Sequence, residues 1–139
     1  GSQLTPRERW LRAKYATILR LCNTEKAIAH GRFYDLMYVN YQNPTLNPHR
    51  QYVFMRSYDG VTLFIAANFA SESCDLSVNI PRHALEMLNI PEGNVVSREL
   101  LTGETDVKTI SATEPFRTMI PPYDAVVWKI IHKNIKQQV

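Results

Sequence analysis

RQYVFMRSY (Arg50–Tyr58), DG (Asp59-Gly60) and VTLFIAANF (Val61–Phe69) follow one another without a break. Both long runs are rich in β-branched and aromatic residues, and Asp-Gly between two such runs is the strongest short hairpin signal in the chain. Val61, Leu63, Ile65, Ala67 and Phe69 recur at every second position, so they share one face of the second strand. The fold is therefore read as antiparallel β, built outward from this hairpin.

Downstream, Asp75–Ile80 (DLSVNI) alternates cleanly, as expected of a strand buried on one side only. Pro81–Leu88 is read as a helical turn. Further strands are expected at Val95–Leu101, Val107–Ile110, Phe116–Ile120 and Ala125–Ile131, with a turn at Thr102-Gly103-Glu104. Upstream, Arg32–Asn40 (RFYDLMYVN) reads as a strand, and Asn43–Pro48, with its two prolines, as a loop. Seven or eight short strands separated by polar turns predict an all-β fold, a two-sheet antiparallel Greek-key β-sandwich.

The first part of the chain has a different period. Thr5-Pro6-Arg7-Glu8 is a helix start: Thr5 can cap, Pro6 suits the first helical position, and Glu8 completes a capping box. Leu11, Tyr15, Ile18 and Cys22 then recur at helical spacing, widened by Trp10 and Leu21. A second short helix, Glu25 to Ala29, ends where His30-Gly31 supplies a C-terminal glycine. The sandwich is thus preceded by one N-terminal α-helix, with 1–31 as a helical lead-in and 32–139 as the β-domain. Gly1-Ser2-Gln3 has no initiator Met and resembles the remnant of a removed tag, so the expectation is an excised piece of a longer protein.

The 139 residues suit one domain with its own core, and 45 % apolar with 21 % charged residues is a globular composition. No stretch approaches the ~20 consecutive apolar residues of a membrane span. The net charge of +3 is spread between Arg7, Arg9, Arg12 and Lys14 at one end and Lys129, His132, Lys133 and Lys136 at the other. Neither cluster interleaves with aromatics as a nucleic-acid platform does. Neither nucleic acid nor membrane is expected as a partner. Cys22 and Cys74 stand without a C-x-x-C or a neighbouring His, which reads as two buried free thiols and no metal. Cytoplasmic and periplasmic locations both remain open.

A glycosidase needs two carboxylates about 5–10 Å apart across the scissile bond. Asp59, Glu72, Glu92, Glu104 and Glu114 sit in or beside turns, Glu8 caps a helix, and Asp75 lies on the polar face of its strand. None of these singles out a buried pair. His30, His49, His83 and His132 are scattered singly, and no H-E-x-x-H, G-x-S-x-G or glycine-rich phosphate loop occurs. No catalytic residue and no cofactor is expected within the chain. Trp128 shares a face with Val126 and Ile130, which is a core pattern. Tyr41 and Tyr58, in or beside loops, are the aromatics left free to stack on a sugar.

Three segments, taken in order, carry a resemblance. Leu63–Phe69 (LFIAANF) is similar to the hydrophobic strand ending in Asn-Phe of the C-terminal β-domain of alpha-amylase-family glycoside hydrolases. Glu99–Glu104 (ELLTGE) resembles that domain's acidic-Leu-Leu-Thr/Ser-Gly strand and turn. Ile120-Pro121-Pro122-Tyr123 with Val126–Ile130 resembles its closing strand, and the capped helix with Glu25–Gly31 resembles the last barrel helix and its exit. The likeness spans about Arg7 to Ile131 and departs from the pattern at the Asn43–Pro48 loop and at Pro81–Ile90.

The resemblance implies a (β/α)₈ barrel before this segment, carrying all the catalytic acids of a retaining enzyme that acts on α-glucans. This chain would be its non-catalytic accessory domain; a carbohydrate-binding module for starch-like glucans, with Tyr41 and Tyr58 in contact, is the alternative. Trp10, Leu11, Tyr15 and Ile18 are then the expected barrel interface. That apolar stripe, extended by Val127 and Ile131, predicts a patch covered by the barrel in the full-length chain, or by a homodimer of the isolated fragment.

Overall fold

A computed structural model describes residues 5, 6, 9, 12, 13, 16, 17, 20, 21 and 24–132. Trp10, Leu11, Tyr15, Ile18, Glu8 and Cys22 lie outside the described residues. Pro6, Arg9 and the described residues as far as Thr24 are helical, and the Arg9 N–H donates to the Thr5 carbonyl at the start of the run. A short helix, α1 (Lys26–His30), follows. Gly31 does not end it in the left-handed conformation expected of a terminal glycine; its backbone is extended. The requirement for glycine there is steric instead, since an added Cβ would collide with the Ala27 carbonyl.

Eight strands come next: β1 (Arg32–Asp35), β2 (Gln51–Tyr58), β3 (Val61–Asn68), β4 (Cys74–Val78), β5 (Gly93–Glu99), β6 (Thr105–Ile110), β7 (Phe116–Ile120) and β8 (Asp124–Ile131). They form a six-stranded antiparallel sheet, β1-β2-β3-β8-β5-β6, faced by a two-stranded sheet, β4-β7. β5, β6 and β7 succeed one another and β8 returns to lie beside β5, which is the Greek-key order. Asp59 and Gly60, both at positive φ, close the β2–β3 hairpin in register from Gln51↔Asn68 to Tyr58↔Val61. A second helix, α2 (Arg82–Leu88), stops at Asn89 in the left-handed conformation. It is tied to β1 by Tyr34 Oη on His83 Nδ1 and by the Arg32 guanidinium on the Met87 carbonyl.

The strand expected over Arg32–Asn40 is shorter than the sequence suggests. β1 ends at Asp35, whose carboxylate accepts the Met37 N–H and turns the chain into a 3₁₀ turn, Tyr38–Asn40. The turn is needed because the following loop closes the free edge of β4. Asn40 Oδ1 accepts from Asn79 N, Asn43 Nδ2 donates to the Ser77 carbonyl, and Thr45 Oγ1 accepts from Ser77 N. Side-chain amides and a hydroxyl stand where a neighbouring strand's backbone would be, which protects an otherwise open edge.

The main core lies between the sheets. Phe64 of β3 stacks on Phe116 of β7 with centroids 4.0 Å apart, and Leu76, Val78, Ile120, Val126, Trp128 and Ile130 surround them with Leu85 and Leu88 of α2. Cys74 is a buried free thiol in this core; burial, and then the neighbouring Asp75 charge, push its pKa up. A second, smaller cluster lies on the opposite side of the large sheet. There Ala27 of α1 packs on Leu63 and Val127, with Leu21, Ile28, Val61 and Ile65 around them. Val127 is therefore buried beneath the helical lead-in and does not extend an exposed patch, whereas Ile131 is exposed. β3 is covered on both faces, which is why its apolar run is nearly continuous.

Candidate functional site

Glu99 is the carboxylate with the most organised surroundings. It ends β5 at an inward-facing position and is 2 % exposed. Oε1 accepts N–H bonds from Leu101 (3.1 Å) and Thr102 (2.9 Å), and Oε2 accepts the Val127 N–H at 2.7 Å. The carboxylate thereby shapes the turn to Gly103, at φ +79, and bridges β5 to β8 where their ladder ends. Both oxygens are committed to backbone donors. Chemically this carboxylate is a structural acceptor, with neither oxygen left free to face a substrate.

Lys108 presents the opposite charge in a similar setting. Its ammonium lies 4.2 Å from the Trp128 ring centroid, donates to the Arg117 carbonyl at 2.9 Å and pairs with Asp106 at 3.2 Å. The hydrogen bond and charge of Lys108 draw the Asp106 carboxyl below its usual range. The surrounding depression, ≈ 290 Å³, is shallow and mixed in charge, with Glu114 and Arg117 on its rim. Trp128 itself is core, as its spacing predicts, and its indole N–H donates to Thr118 Oγ1.

Of the two tyrosines expected to meet sugar, Tyr58 is 42 % exposed and Tyr41 64 %. Tyr58 closes the hairpin end of β2 on the rim of a ≈ 260 Å³ depression, beside Asp59, Lys26 and the Glu25–Lys129 ion pair (3.1 Å). Its ring lies 6.0 Å from that of His30. Tyr41 follows the 3₁₀ turn beyond Asp35, which pairs with Phe54. Phe54 and Tyr58 are themselves about 13 Å apart along β2 at ~3.3 Å per residue. Tyr41 does not line the depression beside Tyr58.

His132 has company that the sequence did not announce. Its Nε2 meets Thr62 Oγ1 at 2.8 Å, and Thr62 Oγ1 meets Ser57 Oγ at 2.9 Å. Burial pulls the His132 pKa down, favouring the neutral ring that can share this hydroxyl chain. Asn68 is the other hidden hub. Its Nδ2 faces the carbonyls of Glu72 (2.8 Å), Pro121 (3.1 Å) and Ile120 (3.3 Å), while Oδ1 accepts from Ala70 N and Gln51 Nε2, both at 3.0 Å. One side chain joins β2, β3 and the approach to β8. Among the described residues no three His, Cys, Asp or Glu side chains gather as a metal site, and no helix is long and apolar enough to cross a membrane.

With this geometry in view, solved structures give the fold a context. An Anoxybacillus alpha-amylase superposes with a TM-score of 0.57 at 16 % identity, over 87 % of this chain and 22 % of its own. An alpha-amylase from Geobacillus thermoleovorans, complexed with acarbose, gives 0.56 at 18 % identity over 81 % of this chain and 21 % of its own. A maltogenic alpha-amylase, AmyB, from Thermotoga neapolitana gives 0.58 at 7 % identity over 83 % and 24 %. No protein-family model and no curated protein matches the chain. The chain thus shares the fold of a segment of alpha-amylases and spans about a fifth of their length.

Proposed function

We propose that this chain is the non-catalytic C-terminal accessory domain of an α-amylase-type glycoside hydrolase or transglycosidase acting on α-glucans, and that it covers and stabilises the catalytic barrel of the full-length chain. The observation that carries the reading is the fold likeness to alpha-amylases over more than four-fifths of this chain but about a fifth of theirs. The three segments that resemble the family's β-domain support it, because each forms a structural device here. Asn68 is a hydrogen-bond hub, Glu99 holds a turn, and Pro121 accepts from Asn68 before the closing strand. The acids are used in the same way: Glu99 binds backbone, Asp106 pairs with Lys108, and Glu92 accepts from Ala112 N and Arg82. Catalysis is accordingly assigned to the barrel. Incubating the purified chain with maltooligosaccharides is expected to give no product, and turnover would overturn the assignment. Removing residues 32–132 from the full-length enzyme is expected to shorten its half-life on heating.

A second reading, a carbohydrate-binding module for starch-like glucans, draws support from Tyr58, whose exposed ring borders a depression lined by carboxylates and ammoniums. Such a rim can stack on a sugar face and hydrogen-bond its hydroxyls. It predicts slowed migration in starch-containing gels that Tyr58→Ala abolishes, with a separate and smaller effect of Tyr41→Ala.

A further inference from the structure

We propose that an aromatic strip on the outer face of the six-stranded sheet, Phe33, Phe54, Tyr52 and Phe69, is the seat on which the catalytic barrel docks. This rests on the accessory-domain reading above and names the surface that serves it. The strip follows from register. Tyr52 and Phe54 alternate with the buried Val53 and Met55 on β2, so they point away from the main core. Phe33 of β1 lies diagonal to Phe54, and Phe69 follows Ala67, the partner of Tyr52. Phe54 makes ring contacts on both sides, to Phe33 at 5.3 Å and to Tyr52 at 5.4 Å. Phe33 is 44 % exposed, Tyr52 40 % and Phe69 64 %. Aromatic side chains of this size leave on the order of 300 Å² of exposed ring surface, the size of the largest apolar patch on many soluble monomers, which is often functional.

The occupant is argued from continuity. The same face, one column further in, carries Leu63 and Val127, which Ala27, Ile28 and Leu21 of the helical lead-in already roof. Beyond the roof, Val96 and Val107 face each other across β5 and β6, again exposed. That pair stands between Asn94–Thr109 and Arg98–Thr105, so the apolar flank of the lead-in is the one over β1 and β2. Arg56, between Phe33 and Leu63 in register, donates to the Gly31 carbonyl and fastens the strip to that lead-in. If the lead-in is the last barrel helix, the barrel body arrives over this face and covers what the helix alone leaves open. The strip is not a single flat platform for one sugar face, since neighbouring rings are tilted by 35° and 49° to one another.

The test is thiol modification by a maleimide at Tyr52→Cys, with Met119→Cys on the outer face of the small sheet as the exposed reference. Each is measured in the 139-residue chain and in the full-length chain, against the unsubstituted background. Protection of Tyr52→Cys by at least tenfold relative to Met119→Cys is expected in the full-length chain, with comparable rates for both in the 139-residue chain. Comparable rates in the full-length chain would overturn the proposal. Slowing of Tyr52→Cys by added maltoheptaose in the 139-residue chain would assign the strip to glucan and overturn barrel docking. Product analysis on α-glucans, run on the same full-length samples, separates the two claims. Turnover without protection refutes the docking surface alone. Protection without turnover refutes the enzyme reading and, with it, the barrel as occupant.

Discussion

Replacing Glu99 by alanine removes the acceptor for three backbone N–H groups at once, and the structure sets the size of the effect. Hydrogen bonds to an ionised group contribute about 1.5–3 kcal/mol each. The Leu101 and Thr102 donors lie at a partly exposed turn, where water can replace the carboxylate, so their loss falls at or below the lower bound. The Val127 donor is different, because Val127 is buried under the lead-in and no water reaches its N–H easily. Leaving that donor unsatisfied costs about 1–3 kcal/mol. The expected sum is about 3–5 kcal/mol, in the upper tail for single substitutions. Glu99→Gln tests the mechanism more finely: its oxygen can still serve Leu101 and Thr102, but its NH₂ then meets the Val127 N–H, donor against donor. A loss of about 2–3 kcal/mol is expected. Urea unfolding followed by tryptophan fluorescence measures both, and the midpoint should fall with m unchanged. A Glu99→Ala variant within about 1 kcal/mol of the parent would refute the assignment of Glu99 as the clamp between β5 and β8.

Two further substitutions follow from the buried polar groups. Asn68→Ala removes five hydrogen-bond contacts at one hub, and a loss of about 3 kcal/mol, or roughly 10 °C in Tm, is expected in a thermal melt. Asn68→Asp should be no better, since its second carboxylate oxygen would face three carbonyls. The His132 pKa lies below its ordinary 6.5 in the folded chain, so above pH 6.5 both states are neutral and stability is full. As pH falls below 6.5 the unfolded chain takes up the proton first, and stability drops until the folded pKa is passed. Unfolding midpoints measured from pH 7.5 to 5 should fall in the parent and fall less in His132→Asn; equal slopes would refute the role.

What the sequence made legible was the period. Alternation gives β4 a single buried face, and Asp59-Gly60 sets the register of the hairpin on which the sheet grows. Side chains that contradict the hydropathy pattern stayed hidden. Lys108 and Glu99 occupy inward positions although both are charged, because their partners, the Trp128 ring and the Val127 N–H, lie about 20 and 28 residues further on. Local pattern holds no trace of such pairs. Asn40, Asn43 and Thr45 read as ordinary loop residues, since nothing in a loop's composition reveals which strand edge it will cover. The sequence overstates the length of β1 for the same reason: Phe33 to Val39 has strand-like content, and the Asp35 side chain, not the run's hydropathy, ends it.

The polar hubs share a placement in the fold. Each one lies at a seam: Asn68 where β2, β3 and the Pro121 turn meet, Glu99 between β5 and β8, Asn40 and Asn43 between a loop and β4, Thr62 between Ser57 and His132. A polar group buried at a seam fixes register, because only one alignment satisfies all of its donors and acceptors. The interior of the sandwich is thereby closed and specified. The outer face of the large sheet is mixed. It carries Phe33, Tyr52 and Phe54 on one side of a thin helical roof and the exposed Val96–Val107 pair on the other, with Asp35, Arg56, Asn94, Arg98 and Lys129 set among them on the same face. A specified interior thus stands beside one aromatic flank on β1 and β2, and that flank is the surface on which the proposed docking is to be tested.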